Sequence, residues 1–354
     1  NIFFYRISEH GTDKSAQILI FLLIIELIFL SNIKKIKSLN LFYVYLLTAI
    51  IISLKAFFIL YLVFILPLFF LIKSKKKNYI DTVIFLVLNR YFYLSLFLIS
   101  LVFFTYFINT GCIIYPIKTT CFESLSWAIP ITEVQQMNNW YELWSKGGAT
   151  PNFRVKEPDE YIMHFNWVSN WTNIYFFNKI TDFFSGLISL VLITLLFFKN
   201  NFFNMKTIKL DNHINIIYFL LFMLALEWFY NHPALRYGGY CIFALLIFIP
   251  VSLKLGSTKT DIKKYSNSIF ILIGITVLIF NLRNVDRIIK EINFYNYKPF
   301  TKTYYLIAPG HYRIQNVINK NIKDYKICKK SVNECNLMND KIHMKFNKYI
   351  FKNQ

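Results

Sequence analysis

The sequence predicts an all-α polytopic membrane protein, and two observations indicate this class. Of the 354 residues, 56% are hydrophobic and 16% are charged, so the average residue resembles the interior of a soluble protein more than its surface. Long apolar runs also recur along the chain, for example at 16–30, 189–198 and 241–253. Helices suit such runs, because their backbone groups are hydrogen-bonded internally and need no water in a bilayer. A water-soluble fold is therefore not expected.

We predict about eight hydrophobic helices, some of them short or re-entrant. They are expected at 17–32, 41–54, 56–72, 84–108, 184–198, 213–230, 238–254 and 267–282. Several of these segments are shorter than the roughly 20 residues that a straight span needs. Residues 41–72 could form one long tilted helix or two short helices that turn at Lys55.

Lysine-rich linkers predict which side of the membrane each connection faces. Fourteen Lys and a single acid, Asp261, lie in the linkers 32–40, 73–80, 199–210 and 254–264. Short positively charged loops stay on the cytoplasmic side, so all four linkers are expected there. An even number of crossings must then separate the first two linkers, which favours two helices in 41–72. The net charge of +20 is interpreted as this topology signal, and nucleic acid is not expected as a partner.

This topology divides the chain into four regions. They are N-terminal membrane helices (1–108), a large extracytoplasmic loop (109–183), C-terminal membrane helices (184–283) and an extracytoplasmic soluble tail (284–354). The alternating stretches DYKICKK (324–330) and KIHMKFNKYIF (341–351) predict short strands, so the tail is expected to be a small α+β appendage. Because the first residue is Asn and not Met, we also expect a fragment or processed form.

Four of the five cysteines form two closely spaced pairs. Cys112 and Cys121 lie in the long loop, and Cys328 and Cys335 lie in the tail. Both pairs fall in regions predicted to be extracytoplasmic, where disulfides persist, so we expect a disulfide bond in each. Free thiols are the alternative. Neither spacing is usual for zinc.

The long loop contains five of the six tryptophans, which suggests a binding surface. Trp140 and Trp144 lie in its polar stretch 138–153, and a tryptophan ring can stack on the C–H face of a sugar. The alternative is a belt of tryptophans at the membrane interface. Glu157 and Asp159 are two residues apart and are able to hold a divalent cation, although an exposed acidic turn would look the same.

A second group of ionisable residues precedes the first hydrophobic segment. If this stretch is helical, Arg6, Glu9 or His10, and Asp13 share one face. If Gly11 breaks the helix, the same residues cluster in a loop. Both arrangements lie at the surface where a membrane-bound substrate presents its head group. A carboxylate there could act as a general base. The alternative is a solvated helix cap with Asp13 near the helix N-terminus.

The decapeptide NHPALRYGGY (231–240) interrupts two apolar segments. Pro233, Gly238 and Gly239 predict a tight reversal of the chain. This reversal would hold His232 and Arg236 at the outer mouth of the helices. The planar guanidinium of Arg236 suits a phosphate. The alternatives are a salt bridge between Arg236 and Glu227, or contact with lipid head groups. Glu26 and Lys55 are weaker candidates.

The architecture resembles the multispanning GT-C type of glycosyltransferase and the related bacterial surface-polysaccharide polymerases and ligases. The similarity covers most of the chain: many short spans, an aromatic-rich external loop, a basic residue at the outer mouth and a soluble C-terminal part. SEHGTD (8–13) and EPDE (157–160) are the stretches that could stand for the acidic motif of those enzymes. The resemblance implies a polyprenyl-phosphate-linked sugar donor, an extracytoplasmic site, a carboxylate base and inversion at the anomeric carbon.

We therefore hypothesise a glycosyltransferase or polymerase of polysaccharide biosynthesis in the bacterial inner membrane. Asp13 or Glu9 would be the base, Arg6 and Arg236 would bind phosphate, and Trp140 and Trp144 would hold the acceptor. No cofactor is assigned with certainty, and the divalent cation considered above is the one candidate. The expected partners are the bilayer, a lipid-linked saccharide and other envelope proteins. The alternative is a non-catalytic transporter, flippase or assembly subunit of a surface-polysaccharide system, in which Arg236 and Glu227 would line a passage.

Overall fold

The structure of the chain is a computed structural model. It describes residues 12–76, 78–149, 155–197, 212–256 and 262–295, with short stretches at 319–320, 322–323, 325–326, 342–345 and 348–351.

Nearly all of the regular structure in these residues is helical. The α-helices are α1 (Asp13–Asn32), α2 (Phe42–Leu54), α3 (Ile65–Lys76), α4 (Tyr79–Val87), α5 (Arg90–Thr110), α6 (Ile131–Lys146), α7 (Pro158–Ile162), α8 (Val168–Trp171), α9 (Thr181–Phe197), α10 (Asn212–Asn231), α11 (Gly239–Gly256) and α12 (Ile262–Tyr295). The 3₁₀-helical segments are Ser38–Leu41, Ala56–Phe64, Lys118–Thr120 and Leu235–Tyr237, and Thr172–Ile180 is π-helical.

Six helical segments of the described chain are long and apolar enough to cross a membrane. They are Asp13–Asn32, Ala56–Lys76, Arg90–Thr110, Val168–Leu195, Asn212–Asn231 and Ile269–Phe294. Two shorter apolar helical segments are Ser38–Leu54 and Gly239–Leu253. Their length and composition make the chain an all-α membrane protein, as the sequence predicts.

The helical path breaks at Lys55. This residue is extended (φ −161°, ψ 123°) between the end of α2 and the 3₁₀-helix Ala56–Phe64, which continues directly into α3. Residues 41–72 therefore form two helical segments, in agreement with the interpretation that the charge distribution favoured.

Three predicted segments have different bounds in the structure. The segment expected at 84–108 is divided into α4 and α5, because the side chain of Asn89 caps α5 by accepting from the backbone N–H of Tyr91. The segment expected at 184–198 belongs to a longer one that begins at Val168, inside the predicted loop. The segment expected at 267–282 is part of α12, whose apolar portion extends to Phe294.

The chain divides into two compact units, residues 1–285 and 286–354. In the first unit, α1 buries one face against its neighbours, with residues three or four positions apart, such as Ala16, Ile20, Leu23 and Leu27. Helix α2 packs between α1 and α5, and α10 packs against α3 and α11.

The second unit contains a short antiparallel hairpin. Strand β1 (Ile342–Lys345) pairs with β2 (Lys348–Phe351), and Ile342 lies opposite Phe351. These strands lie in the stretch 341–351, where the sequence predicts strands. Tyr325 and Lys326, in the other predicted strand, are helical. The expectation of an α+β tail stays a prediction, because most of the tail lies outside the described residues.

The first unit has two distinguishable ends. At one end, which we call the lysine end, Lys75 donates to the carbonyl oxygens of Leu30 (3.2 Å) and Ile33, and Asn89 donates to that of Ser38 at 3.3 Å. These bonds connect the end of α1 and the linker that follows it with the last turn of α3 and with the junction between α4 and α5. At the other end, which we call the loop end, Thr12 donates to the carbonyl oxygen of Leu54 at 2.7 Å.

Candidate functional site

Two cations converge on one buried carboxylate at the loop end. Arg236 donates to Oδ2 of Asp13 from Nε (3.0 Å) and from Nη2 (2.6 Å). The ammonium of Lys55 donates to the other oxygen, Oδ1. The side chain of Asp13 is 7% exposed, whereas that of Arg236 is 45% exposed. We call these three residues the Asp13 cluster.

The cluster assembles three distant segments of the chain. Asp13 is the first residue of α1, where the N-terminal end of the helix favours a negative charge. Lys55 occupies the break after α2, and Arg236 lies in the 3₁₀ turn between α10 and α11. Four helical elements thus meet at this ion pair: α1, α2 and the 3₁₀-helices Ala56–Phe64 and Leu235–Tyr237.

Tryptophan side chains hold the decapeptide in place through its backbone. Trp171 Nε1 donates to the carbonyl oxygen of Pro233 at 2.9 Å. Trp228 Nε1 donates to the carbonyl oxygen of Ala234 at 2.8 Å. Both rings are almost fully buried, so the tight reversal between α10 and α11 is fixed from two sides.

Gln17 and Tyr175 complete this anchoring. The amide of Gln17 donates to the carbonyl oxygen of Arg236 at 2.9 Å and accepts from the backbone N–H of Cys241 at 3.1 Å. The hydroxyl oxygen of Tyr175 accepts from the backbone N–H of Leu235 at 2.9 Å. Because Gln17 lies one turn after Asp13 on α1, the same helix fixes both the backbone and the side chain of Arg236.

Aromatic rings surround the two cations. The guanidinium of Arg236 lies 5.4 Å from the ring centre of Trp144, and the ammonium of Lys55 lies 4.3 Å from that of Tyr237. The rings of Trp144 and Tyr237 contact each other edge to face at 5.7 Å. Burial raises the pKa of the Tyr237 hydroxyl to about 12, so this group stays protonated.

A cavity of about 390 Å³ opens next to the cluster. Its polar lining residues are Lys55, Tyr106, Tyr115, Asn138, Tyr141, Glu227, His232 and Tyr237. Its apolar lining residues are Ala56, Phe57, Ile59, Leu60, Ile114, Pro116 and Ile117. The volume falls in the range of roughly 300–1,000 Å³ that small-molecule sites occupy.

The predicted disulfide between Cys112 and Cys121 is confirmed, and it closes the ring that forms one wall of this cavity. Residues 114–117 of that ring line the cavity. The backbone groups of Cys112 and Cys121 form an isolated antiparallel bridge, and Thr120 Oγ1 donates to the carbonyl oxygen of Ile114 at 3.0 Å. Cys328 and Cys335 lie outside the described residues.

His232 lies in the cavity wall and is uncharged at neutral pH. Burial lowers the pKa of its imidazole to about 4, and the positive charges of Lys146 and Lys55 act in the same direction. Burial also lowers the pKa of the Lys55 ammonium, while Asp13 acts in the opposite direction. That His232 binds substrate stays a prediction. Because its imidazole is neutral, it provides no positive charge to attract a phosphate.

The structure brings three of the predicted site residues together: Asp13, Arg236 and Trp144. Trp140 is on the same helix as Trp144 but is 48% exposed, and the ring it contacts belongs to Tyr141. Arg6, Glu9 and His10 lie outside the described residues, so their predicted roles stay predictions.

The acidic turn has exposed carboxylates. Glu157 precedes α7 and Asp159 lies in its first turn, where Asp159 accepts from Asn139 at 3.5 Å. In the part of the chain that the structure describes, no group of three or more His, Cys, Asp or Glu residues could hold a metal ion. The assignment of a divalent cation to Glu157 and Asp159 stays a prediction.

Two alternatives considered from the sequence differ from the structure. Arg236 pairs with Asp13 and not with Glu227, whose carboxylate accepts from Asn231 at 3.1 Å. The tryptophans of the loop also do not form one belt. Trp167 and Trp171 are buried, whereas Trp127 and Trp140 are about half exposed.

Sequence reasoning missed several residues of the site. Lys55 was a weak candidate, and Gln17, Tyr237, Asn138 and Tyr141 were not considered. One signal was present: Gln17 follows Asp13 at a spacing of four, so the two share a helix face directed at the same neighbour. The cavity residues had no such signal, because they come from separate segments.

Fold and site together define an all-α integral membrane protein with an ion-pair cluster and an adjoining cavity at one end of its helices. A family model described as "Domain of unknown function (DUF8201)" matches residues 1–243, which is more than half of the chain. The chain belongs to that family, and the matched region includes every residue of the cluster and of the cavity lining. No curated protein matches the chain, and no solved structure matches it.

Proposed function

We propose that this protein is an integral membrane glycosyltransferase or polysaccharide polymerase that uses a polyprenyl-phosphate-linked sugar. The observation that supports it is the Asp13 cluster, in which two cations share one carboxylate. One positive charge is therefore left in excess, beside a cavity of small-molecule size. A phosphate attached to a lipid could approach this charge from the membrane surface.

Arg236 is the proposed phosphate-binding residue. Two of the five N–H groups of its guanidinium point to Asp13, and about half of the side chain is exposed. Asp13 orients this guanidinium and holds Lys55 beside it. Both oxygens of Asp13 already accept hydrogen bonds from cations, so the geometry favours a positioning role over the predicted role as a base. Trp144 packs beside Arg236, where it could contact the first sugar.

The proposed location is the inner membrane of a bacterial envelope, with the loop end extracytoplasmic. The lysine-rich linkers after α1 and α3 meet at the opposite end of the first unit, and positively charged short loops favour the cytoplasm. A donor lipid presented on the outer leaflet would then reach the Asp13 cluster without crossing the bilayer.

Native mass spectrometry of the purified protein in lipid nanodiscs tests the phosphate site. We expect binding of a polyprenyl phosphate but not of the uncharged polyprenol. The variant Arg236→Ala should weaken binding of the phosphate by about tenfold or more, which corresponds to one charge-assisted hydrogen bond. Arg90→Ala is the matched control, because Arg90 is exposed and bonds to Tyr91 at the lysine end. Equal affinities for phosphate and polyprenol would exclude the proposed site.

A transporter, flippase or assembly subunit is the rival function. An assay on membranes that contain the protein distinguishes the enzyme from this rival. The membranes are supplied with a radiolabelled polyprenyl-phosphate sugar, and the fate of the label is followed. An enzyme moves the label from the lipid to a water-soluble or oligosaccharide product, and Arg236→Ala abolishes that transfer. A flippase leaves the label on the lipid and changes only the leaflet in which it lies.

A further inference from the structure

The cavity contains two titratable groups that the proposed phosphate site does not use. Glu227 is in the last turn of α10, and His232 follows immediately after that helix. Neither takes part in the Asp13 cluster. Ionisable side chains at this depth are costly to bury and usually face a partner or a ligand.

The carboxylate of Glu227 is held in a fixed position by its own helix. Its Oε1 accepts from Asn231, one turn further along, at 3.1 Å. The side chain is half-buried and lines the cavity. A carboxylate is an acceptor with about four lone-pair positions, so Glu227 keeps further capacity to accept hydrogen bonds from a ligand.

The imidazole of His232 packs between two aromatic rings. Its centre lies 5.3 Å from that of Phe57 and 5.8 Å from that of Tyr237, each in an edge-to-face arrangement. Its Nδ1 is buried and has no hydrogen-bond partner among the described residues. This nitrogen is not accessible from the cavity, so a ligand there would contact the imidazole through its other atoms.

The remaining walls combine aromatic faces with neutral hydrogen-bonding groups. Tyr106, Tyr115 and Tyr141 present rings and hydroxyls, and Asn138 presents an amide. Aromatic rings stack on the C–H faces of sugars, while the polar groups can bind the hydroxyls at their edges. The lining carries one carboxylate, Glu227, and one ammonium, Lys55, so the cavity suits a ligand without net charge.

We propose that this cavity binds a neutral sugar, with Glu227 accepting hydrogen bonds from its hydroxyls and the imidazole of His232 forming part of the surrounding wall. The site is distinct from the phosphate-binding residue Arg236, although Lys55 belongs both to the cavity lining and to the Asp13 cluster. Its role as the acceptor site rests on the proposed function, whereas the binding of a neutral sugar does not.

Hexyl β-glucoside is the probe, with hexanol as the apolar reference, and the protein is held in phosphatidylcholine nanodiscs. Binding is followed by saturation-transfer NMR. We expect the glucoside to bind more tightly than hexanol and Glu227→Gln to weaken it by about tenfold, since a hydrogen bond to a charged group is lost without a change of shape. Glu26→Gln is the control, because Glu26 lies in the middle of α1 and does not line the cavity.

Each result supports or overturns this assignment independently of the phosphate site. Equal binding of hexanol and hexyl glucoside, or equal affinities in the wild type and Glu227→Gln, would overturn it. If the glucoside binds through Glu227 but polyprenyl phosphate does not bind, the sugar site stands and the proposed function fails. If polyprenyl phosphate binds through Arg236 and the glucoside does not bind, the sugar site fails and the phosphate site stands.

Discussion

Asp13 is the residue on which the local geometry of the site depends. Its carboxylate is nearly inaccessible to water and connects the N-terminus of α1 with Lys55 and Arg236. A buried charge is tolerated only when it is paired and hydrogen-bonded. Removal of either cation leaves Asp13 one partner, whereas removal of Asp13 leaves two cations facing each other.

Asp13→Asn should therefore destabilise the protein more than Arg236→Ala. Loss of one member of a buried ion pair costs about 3–5 kcal/mol, whereas partly exposed pairs contribute about 1 kcal/mol or less. The thermal midpoint measured by tryptophan fluorescence in nanodiscs checks this order. Asp81→Asn, at an exposed position on α4, should change it little. Equal midpoints for Asp13→Asn and Asp81→Asn would show that the cluster does not stabilise the fold.

His232 should make the stability depend on pH. Its folded-state pKa is about 4 and its ordinary value is 6.5, so the unfolded state binds more protons between these values. Its contribution is therefore complete above about pH 6.5 and is lost as the pH falls toward 4.

Thermal midpoints at pH 7.5, 6 and 5 test this dependence. We expect them to fall with pH in the wild type and to fall less in His232→Gln, which removes the titrating group. His164→Asn is the control, because His164 is exposed and Asn tolerates its positive φ of 49°. Identical pH profiles for the wild type and His232→Gln would contradict the assignment.

The turn between α10 and α11 is the element that presents Arg236, and it requires both of its glycines. Gly238 has a φ of +104°, which an L side chain rarely adopts. At Gly239, an added Cβ would lie 2.9 Å from the ring of Trp228, which holds the carbonyl oxygen of Ala234. Both glycines therefore permit the close approach of the turn to the packed helices.

Gly239→Ala should lower the stability by about 1–3 kcal/mol, the usual cost of forcing extra atoms into a packed interior. It should also weaken binding of polyprenyl phosphate, because displacement of Trp228 shifts the turn that bears Arg236. Gly274→Ala is the matched control, since nothing lies within 4 Å of a Cβ at that position of α12. That variant should be neutral or slightly stabilising. A midpoint for Gly239→Ala equal to that of Gly274→Ala would contradict the packing argument.

Non-α segments border the site on two sides. The 3₁₀-helix Ala56–Phe64 forms the apolar wall of the cavity, and the π-helix Thr172–Ile180 supplies Tyr175, which bonds to the turn. Both geometries are unusual at a length of nine residues and recur at functional positions. Their location agrees with a site at the loop end.

At the scale of the whole molecule, the contacts separate two ends of the helices. Lys75 contacts carbonyl groups at the end of α1, while Asp13, Lys55, Trp144 and Arg236 meet at the other end. For the linkers 32–40 and 73–80, this grouping agrees with the one that the lysine distribution predicts. Which end faces the cytoplasm stays a prediction from the positive-inside bias.

Cysteine labelling of intact cells checks that orientation. A membrane-impermeant maleimide should label Lys156→Cys, an exposed position in the loop, and should label Lys35→Cys only after the cells are opened. The parent protein gives the background from its own cysteines. Labelling of Lys35→Cys but not of Lys156→Cys in intact cells would invert the topology and place the proposed site in the cytoplasm.

The sequence predicted the class, most of the helical segments, the break at Lys55 and the Cys112–Cys121 bond, because each depends on composition or on neighbouring residues. It also proposed Asp13, Trp144 and Arg236 as functional residues. It did not predict that α9 continues a helical path begun at Val168, because polar residues interrupt the hydrophobic pattern there. It assigned Arg236 a phosphate, Glu227 or lipid head groups as partners and did not include Asp13 among them.

Hydrophobic pattern and charge, which are properties of the chain itself, determined that this protein is a helical membrane protein and where its helices begin and end approximately. The tertiary structure alone decided that Asp13 binds both Lys55 and Arg236, and that Glu227 and His232 share a cavity with the Cys112–Cys121 ring. The physical reason is that pairing across 42 and 223 residues depends on how helices pack, and no local spacing encodes it.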